Sequence, residues 1–308
     1  MLDVPTLDAL DLMIWLQSGV EAARVSDCVP STIVRRVEQA LKTFDLKLRR
    51  SRSGWSVRGN LKLISLEREI HQFYRFQGGG PLRLHLPRWT RQLLNQELPA
   101  RWLSPLTTEP TPCGDPLSLL RQRVIDACVL TPSQWPGSSV SASGSAGVTA
   151  GRSDADDRDD LLDVELYSNT VLLYGSSSDP GEPLPDDVLA ACRQGRAHLQ
   201  VPDFLPLPCQ EMVRERLHTL AGSTPEAVPT AAVRRSQSLD VTFLTPEMAT
   251  LMPELRPLAR PFEWPYTERL VVLREHEDRP AIRELRQFLQ ESLPAAGLPA
   301  ASLSCSVA

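Results

Sequence analysis

The sequence predicts an α+β multidomain protein in which a winged helix-turn-helix and a linker helix precede an α/β body built from two similar halves. Three features carry this prediction. The first 60 residues combine helical stretches with a basic hairpin, a heptad-like helix then ends in three consecutive glycines, and strands alternate with helices from residue 82 onward. We expect a first domain over 1–60, a linker helix and hinge over 61–80, and the body over 81–294.

Three helices are expected at the start of the chain. Residues 7–17 are apolar nearly all round, which indicates a buried helix that Gly19 stops, and 21–26 form a short second helix. A third helix over 31–44 follows Pro30, and we expect Ser31 to cap it. Its predicted core stripe is Ile33, Val37, Ala40, Leu41 and Phe44, and the opposite face carries Thr32, Arg35, Arg36 and Gln39.

A basic hairpin is expected over 47–58, with its turn at Ser53-Gly54. Three helices followed by a hairpin form a winged helix-turn-helix, a fold that places its third helix in the DNA major groove. Arginine beside Thr and Gln on one helix face can reach both base edges and phosphates. An ordinary solvated basic face is the alternative explanation of the same residues.

The next helix, over 61–77, carries Leu63, Leu66, Ile70 and Phe73 at spacings of three, four and three residues. This short heptad seam indicates either packing onto the same chain or a two-helix dimer contact. Glycines 78–80 end the helix and indicate a domain boundary. They do not form a phosphate-binding loop, because no Gly-Lys-Ser/Thr follows them.

The body is expected to alternate strands and helices. The predicted strands are 82–86, 106–108, 124–130, 166–174, 197–201, 240–244 and 269–274, and the predicted helices are 87–102, 115–122, 188–193, 210–221 and 280–293. Residues 137–160 are rich in Gly, Ser and Ala and then acidic, which predicts a disordered insert between the two halves. We expect 295–308 to be a loose tail.

Charge is distributed unevenly over the 308 residues, whose net charge is −5. Residues 31–62 hold nine basic and two acidic side chains, which indicates that a polyanion contacts only this part of the chain. No run of 18 apolar residues exists, so we expect no membrane partner, and the acidic N-terminus favours a cytoplasmic protein over a secreted one.

Catalytic and metal-binding patterns are missing from the sequence. Its six cysteines form no C-x-x-C pair, and its five histidines show no H-x-x-x-H spacing. The acidic run around Asp154–Asp160 departs from a calcium-binding loop, because the position that requires glycine is Asp159. We therefore expect no enzyme activity, no cofactor and no metal.

The N-terminal segment resembles the LysR-type transcriptional regulators, whose helix-turn-helix reads A-A-x-x-L-x-V-S-Q-S/P-T/A-V-S-R-x-I-x-x-L-E. The matches here are Ala22, Ala23, Ser31, Thr32 and Arg35, with Ile33 and Val37 as conservative replacements. Body motifs of the family resemble Gly80–His85, Ile125–Val129 and Asp240–Glu247. The departures are Val29-Pro30 in place of Ser-Gln, Val34 in place of Ser, Ala40-Leu41 in place of Leu-Glu, and a shorter linker helix.

The resemblance implies a sequence-specific, DNA-binding regulator that forms a homodimer or homotetramer on double-stranded DNA. Two recognition helices would read half-sites about one DNA turn apart. By this analogy Thr32, Arg35, Arg36 and Gln39 face the major groove and Ser31 lies near a phosphate. The wing residues Arg50, Arg52 and Arg58 would hold backbone phosphates.

The resemblance also implies that the two-lobed body is periplasmic-binding-protein-like and holds a small-molecule effector between its lobes. The cleft candidates are His85, Arg88, Thr90, Gln200 and Asp203. Satisfied structural roles are the alternative for the histidines.

Two other functions stay open at this stage. The departures at Pro30 and Val34 allow a degenerate member of the family that binds a small molecule or dimerises without specific DNA reading. An enzyme that uses the cleft is the third alternative, and it lacks any nucleophile–base or metal-ligand spacing.

Overall fold

The chain forms two compact units in a computed structural model. The structure describes residues 2–51, 54–94, 96–105, 115–131, 159–176, 197–199, 239–258 and 264–293. The described parts of Met1–Leu130, Gly147–Val164 and Arg269–Ser292 belong to the first unit, and those of Glu165–Glu268 to the second. The predicted boundaries at residues 60 and 80 fall inside the first unit.

The N-terminal head is a three-helix group followed by a two-stranded antiparallel hairpin. Its elements are α1 (Val4–Leu16), α2 (Gly19–Val25), α3 (Pro30–Thr43), β1 (Lys47–Ser51) and β2 (Gly54–Arg58). Helix α1 is buried on most sides, as its apolar sequence predicts. The Asp3 carboxylate accepts from the backbone N–H of Thr6 at 3.2 Å and caps the helix.

The ends of the head helices differ from the expectation at two points. Gly19 begins α2 instead of ending α1. Helix α1 ends at Leu16, and its cap residue Gln17 adopts the left-handed conformation with φ of 58°. Ser31 does not cap α3, because the cap position is Val29 and Pro30 is the first helical residue. Proline fits that position, since it lacks an N–H that would have no intrahelical partner there.

The hairpin is held to α1 by one side-chain amide. The backbone N–H of Trp55 donates to Gln17 Oε1, and Gln17 Nε2 donates back to the Trp55 carbonyl at 3.2 Å. Gly54 lies beside this contact with φ of +103°, and a Cβ built there would come within 2.2 Å of Gln17 Oε1. Glycine at 54 therefore lets the wing approach α1 closely enough for both hydrogen bonds.

The rest of the first unit packs helices around part of a mixed sheet. Strand β3 (Leu82–His85) pairs in parallel with β4 (Trp102–Leu103) on one side and β5 (Ala127–Leu130) on the other, and β5 pairs antiparallel with β10 (Trp264–Leu273). The helices are α4 (Lys62–Tyr74), α5 (Arg88–Leu93), α6 (Pro116–Arg121) and α8 (Pro280–Ser292), and a π-helical turn (Arg75–Gly79) extends α4.

The helix predicted over 87–102 is wrong in length, because α5 ends at Leu93 and Trp102 is already in strand β4. Leu94 leaves the helix with an extended ψ of 117°. Pro99 lies inside the predicted span, and proline has no N–H to donate in a helix interior.

In the second unit, strand β8 (Leu239–Leu244) pairs with one strand on each side. Strand β6 (Leu161–Ser176) pairs antiparallel with β8, which pairs in parallel with β7 (Ala197–Leu199). The short strand β9 (Arg256–Pro257) pairs with the other edge of β6, and α7 (Pro246–Ala249) follows β8. Strands β6 and β10 are divided between the two units, and each begins five residues before its predicted start.

Several predicted segments lie outside the described residues. They are the strand at 106–108, the helices at 188–193 and 210–221, the disordered insert apart from residues 159 and 160, and the tail at 295–308. Among the residues that are described, none of the helices combines the length and apolar character needed to cross a bilayer.

The observed architecture confirms the predicted fold class. Three helices and a small hairpin come first, a linker helix follows, and a mixed α/β sheet fold completes the chain. The core of the first unit contains apolar residues from α1, α3, β3 and β5, of which Leu10, Ile33, Leu84 and Val129 are almost fully buried.

Replacing Gly54 with Ala tests the contact between the wing and α1. The added methyl group would force the Gln17 amide away and strain a backbone that L-residues rarely adopt, so we expect a loss of about 1–3 kcal/mol in the free energy of unfolding. Urea titration followed by circular dichroism measures this loss. Gly19→Ala is the matched control, because its Cβ would meet only Met13 Sδ at 3.7 Å. Equal stability of the two variants would contradict the contact.

Candidate nucleic-acid interface

Helix α3 presents a polar face beside a buried stripe. Ile33, Val37 and Ala40 are buried, as the periodicity predicts, while Leu41 and Phe44 are half-buried. The predicted DNA-facing side chains are all accessible to solvent: Ser31, Arg35 and Gln39 are exposed, and Thr32 and Arg36 are half-buried. Neither Arg35 nor Arg36 makes an ion pair with any described residue, so both guanidinium groups keep their hydrogen-bond donors for another molecule.

The wing adds further exposed basic groups. Arg50 and Arg58 are exposed on β1 and β2, and the guanidinium of Arg50 lies 5.6 Å from the centroid of the Trp55 ring. Stacking on the indole holds a cation without neutralising its charge. Arg52, the third predicted wing residue, lies outside the described residues.

The linker helix α4 turns an apolar face outward. Leu63, Leu66, Ile70 and Phe73 are 59%, 52%, 49% and 52% exposed. The opposite face buries polar side chains, namely Glu67, Arg68, His71 and Gln72. This arrangement reverses the usual distribution for a surface helix. The Arg279 guanidinium lies 5.4 Å from the centroid of the Phe73 ring, and the four seam side chains still remain about half exposed.

A network of six charged side chains, all buried except the half-buried Asp8, surrounds the inward face of α4. Its carboxylates are Asp8 and Asp11 of α1 and Asp126 before β5, and its guanidinium groups are Arg68 of α4, Arg75 of the π-helical turn and Arg83 of β3. Equal numbers of positive and negative groups remove the net charge from the interior. Paired in this way, the six groups avoid the large cost of burying an isolated ion.

Asp11 links three elements of the first unit. Its carboxylate lies 2.8 Å from Arg68 Nη2 and 3.3 Å from Arg83 Nη1, so α1, α4 and β3 meet at one charge. Arg83 also forms an ion pair with Asp8 and donates to the Val124 carbonyl at 2.9 Å. We name the contact of Asp8 and Asp11 with Arg83 the head latch.

Asp126 holds the turn that follows α4. Arg75 donates to both its oxygens, from Nε at 2.9 Å and from Nη2 at 2.8 Å, and Gln72 Nε2 donates at 3.1 Å. The backbone N–H of Arg83 adds a fourth bond at 2.8 Å. Burial lowers the pKa of Arg75, but the attraction of Asp126 outweighs it and raises that pKa above its ordinary value.

The sequence patterns do not predict the ion pairs that join these elements. Asp8, Asp11, Arg83 and Asp126 were noted only as parts of helices or motifs. Asp11 carried a signal, because a carboxylate inside a helix that is apolar on nearly all sides must be buried and therefore paired. Its partners, at positions 68 and 83, are too distant in sequence for any periodicity to identify.

The predicted effector residues are only partly described. His85 ends β3 and is half-buried, Arg88 is the first residue of α5, and Thr90 is fully buried within α5. Gln200 and Asp203 lie outside the described residues. The five residues stay a prediction as an effector site. No cluster of three or more His, Cys, Asp or Glu able to hold a metal occurs among the described residues.

The pH dependence of stability tests the environment of His85. Burial lowers the pKa of His85 from 6.5 to about 4, so the folded protein holds it neutral while the unfolded chain protonates below pH 6.5. Its stabilising contribution is complete above pH 6.5 and is lost as the pH falls toward 4.

We expect the free energy of unfolding to fall by about 1–2 kcal/mol more in the wild type than in His85→Gln between pH 7 and pH 5. Urea titrations at the two pH values measure the difference. If the free energy of unfolding fell equally in the wild type and in His85→Gln, His85 would have to be exposed to solvent.

Comparisons with known proteins find relatives in structure alone. No family model and no curated protein sequence matches the chain. ArgP from Mycobacterium tuberculosis aligns at 14% identity over 96% of this chain and 100% of its own, with a TM-score of 0.42.

LysG from Corynebacterium glutamicum, a full-length LysR-type regulator with bound effector Arg, aligns at 14% identity over 95% and 99% of the two chains, with a TM-score of 0.38. OxyR from the same organism aligns at 13% identity over 93% and 91%, with a TM-score of 0.38. Likenesses at this identity concern the fold, and the function has to come from the side chains. Structural matches to LysR-type regulators thus run across nearly the full length of the chain at low sequence identity.

Proposed function

We propose that the protein is a cytoplasmic, sequence-specific DNA-binding transcriptional regulator of the LysR type. One observation carries the proposal: Arg35 and Arg36 extend without an ion-pair partner among the described residues from the third helix of a winged helix-turn-helix. Arginine is the side chain that most often reads guanine in the major groove, and it binds phosphate equally well. In this proposal Thr32 and Gln39 flank the two arginines at the base edges, and Ser31 lies near a phosphate.

The wing supports the same proposal. Arg50 and Arg58 are exposed on a hairpin that Gln17 holds against α1, so their positions relative to α3 are defined before any DNA is present. Preorganised contacts to phosphate cost less entropy on binding than contacts from a mobile loop. Arg52 is the third phosphate contact of the wing in this proposal, on the basis of the sequence alone.

Charge placement within the head also favours DNA. The acidic side chains of α1, Asp8 and Asp11, are engaged by Arg83 and Arg68, so they do not offset the basic surface of α3 and the hairpin. A locally positive surface on a protein whose net charge is −5 directs a polyanion to that surface alone.

We further propose that the protein acts as a homodimer, or a homotetramer built from such dimers. The outward seam of α4 consists of large apolar side chains about half exposed to water, and a second copy of the same helix would cover them. A two-fold dimer places two copies of α3 on one face, which suits two half-sites in the DNA.

A small-molecule effector bound in the α/β body completes the proposal, with His85, Arg88, Thr90, Gln200 and Asp203 as its candidate contacts. No catalytic step is proposed for this body. The effector is proposed to act on DNA binding by changing the arrangement of the body.

One observation favours a second candidate function. Val29 and Val34 are 61% and 54% exposed around the start of α3, where a specific DNA reader benefits from polar side chains. Exposed valines at these two positions are compatible with a protein that dimerises and binds a small molecule without reading a DNA sequence. Selection of bound fragments from a random DNA pool distinguishes the two functions, since only the regulator enriches a common site.

Removing both free arginines of α3 tests DNA binding directly. We expect Arg35→Ala/Arg36→Ala to weaken binding to the selected site by at least tenfold, because each base or phosphate contact contributes about 1–3 kcal/mol. Fluorescence anisotropy over a range of salt concentrations measures the affinity and its salt dependence. Arg283→Ala/Arg286→Ala, which removes two exposed arginines from α8, is the control and should keep wild-type affinity. Equal affinities of the two double variants would contradict the proposal.

A charge placed in the seam of α4 tests the dimer. We expect Leu66→Glu to shift the protein to a monomer, because two seams would then bring carboxylates together in an apolar contact. Light scattering after size-exclusion chromatography measures the mass. Ser65→Glu is the matched control, since Ser65 is exposed on the same helix one position outside the seam. A Leu66→Glu protein with the mass of the wild type would place the dimer contact elsewhere.

A further inference from the structure

The segment that joins the head to the sheet of the first unit is flexible in composition and yet held in place on both sides. Glycines 78–80 follow α4, and Gly78 adopts φ of +95°, a conformation that other residues rarely adopt. Three glycines alone would let the head reorient relative to β3. The described side chains around them oppose that motion.

The first restraint acts on the turn itself. Arg101 Nη2 donates to the carbonyls of Arg75 and Phe76 at 3.2 and 3.0 Å, and the Arg75 guanidinium is bound to Asp126. These bonds fix the last turn of the linker helix to the chain segments that precede β4 and β5, the two strands that pair with β3.

The second restraint is the head latch, which reaches α1 directly. The Arg83 guanidinium is oriented by the Val124 carbonyl at 2.9 Å, so it is a fixed group of the sheet to which Asp8 and Asp11 attach the head. Helix α1 packs on α3, and a displacement of α1 therefore carries the DNA-facing arginines with it.

The head latch consists of ion pairs, and this determines how strictly it orients the head. A buried ion pair contributes little net stability compared with apolar packing, but it tolerates only a narrow range of geometries. An apolar patch between the head and β3 would permit sliding, whereas guanidinium–carboxylate bonds at two acidic residues on the same face of α1 define one orientation.

We propose that Asp8 and Arg83 are specificity-determining positioning residues that set the spacing between the two DNA half-sites. The inference rests on the proposed function, because spacing has meaning only for a dimer on DNA. With the latch closed, each head has one orientation and the dimer accepts one half-site spacing. With the latch open, each head loses its direct attachment to β3 and can adjust about the linker helix, so other spacings are tolerated. Neither residue touches DNA in this proposal.

Asp8→Asn is the variant of choice for the test. The Asp8 side chain is 32% exposed, and after the loss of its charge the buried Arg83 guanidinium keeps Asp11 as a partner at 3.3 Å. The asparagine keeps the shape of the aspartate. Arg83→Leu opens the latch from the other side, and Glu284→Ala removes an exposed carboxylate of α8 as a control. Thermal unfolding confirms that each variant is folded. If Arg83→Leu does not fold, Asp8→Asn alone still tests the proposal.

The experiment uses the full-length proteins and the site obtained from the random DNA pool. Affinities are measured by anisotropy for that site, for versions with one and two base pairs inserted between the half-sites, and for a single half-site. Each inserted base pair rotates one half-site by roughly 35° about the DNA axis. We expect two added base pairs to cost the wild type and Glu284→Ala at least tenfold in affinity, and Asp8→Asn no more than threefold. Single half-site affinities should agree within twofold.

Three results would overturn the inference. An Asp8→Asn protein that shows the wild-type loss on the spaced sites would mean that the latch does not set the spacing, while DNA binding itself would stand. Failure of the wild type to enrich any site from the pool would remove the proposed function, and the inference with it. A weaker single half-site affinity in Asp8→Asn would assign Asp8 to the DNA contact or to the folding of the head instead of its orientation.

Discussion

The pairing of three buried guanidinium groups with the buried carboxylates of Asp11 and Asp126 and the half-buried carboxylate of Asp8 is the constraint on which the first unit depends. Arg68, Arg75 and Arg83 lie in an interior where an unpaired charge would cost several kcal/mol, and Asp8, Asp11 and Asp126 provide the compensation. Each carboxylate lies on a different chain segment from its partner. The network can therefore form only when α1, α4, β3 and the segment before β5 are all in place, so it selects one arrangement of the head and the sheet.

The same constraint explains the reversed linker helix. Its inward face contributes Arg68 and Gln72 to the network, which leaves the apolar seam on the outward face about half exposed, with the Arg279 guanidinium stacked on Phe73. The two faces of α4 therefore have different roles. The polar face fixes the geometry within a subunit through directional bonds, and the apolar face is suited to association between subunits through the less directional hydrophobic effect.

Local patterns predicted the head well because its elements are determined by local chemistry. The stripe of Ile33, Val37 and Ala40 and the seam of α4 both follow from periodicity. The cap of α3 was wrong because proline at the first helical position competes with a serine cap. The network could not be predicted in this way, since its partners lie 51 to 75 residues apart and only the tertiary fold brings them together.

Arginine shows how far environment decides the role of a residue. A count of basic residues over the first 75 positions treats Arg35 and Arg68 alike, yet Arg35 is exposed on α3 and Arg68 is buried against Asp11. Arg68 is 2% exposed and paired with Asp11 inside the fold, so a polyanion cannot reach it. Arg35 keeps its donors because no carboxylate of the described chain lies near enough to compete for them. Exposure without an intramolecular acid is thus what separates an arginine able to bind DNA from one that organises the protein, and the candidate interface is defined by that difference more than by the total charge of the head.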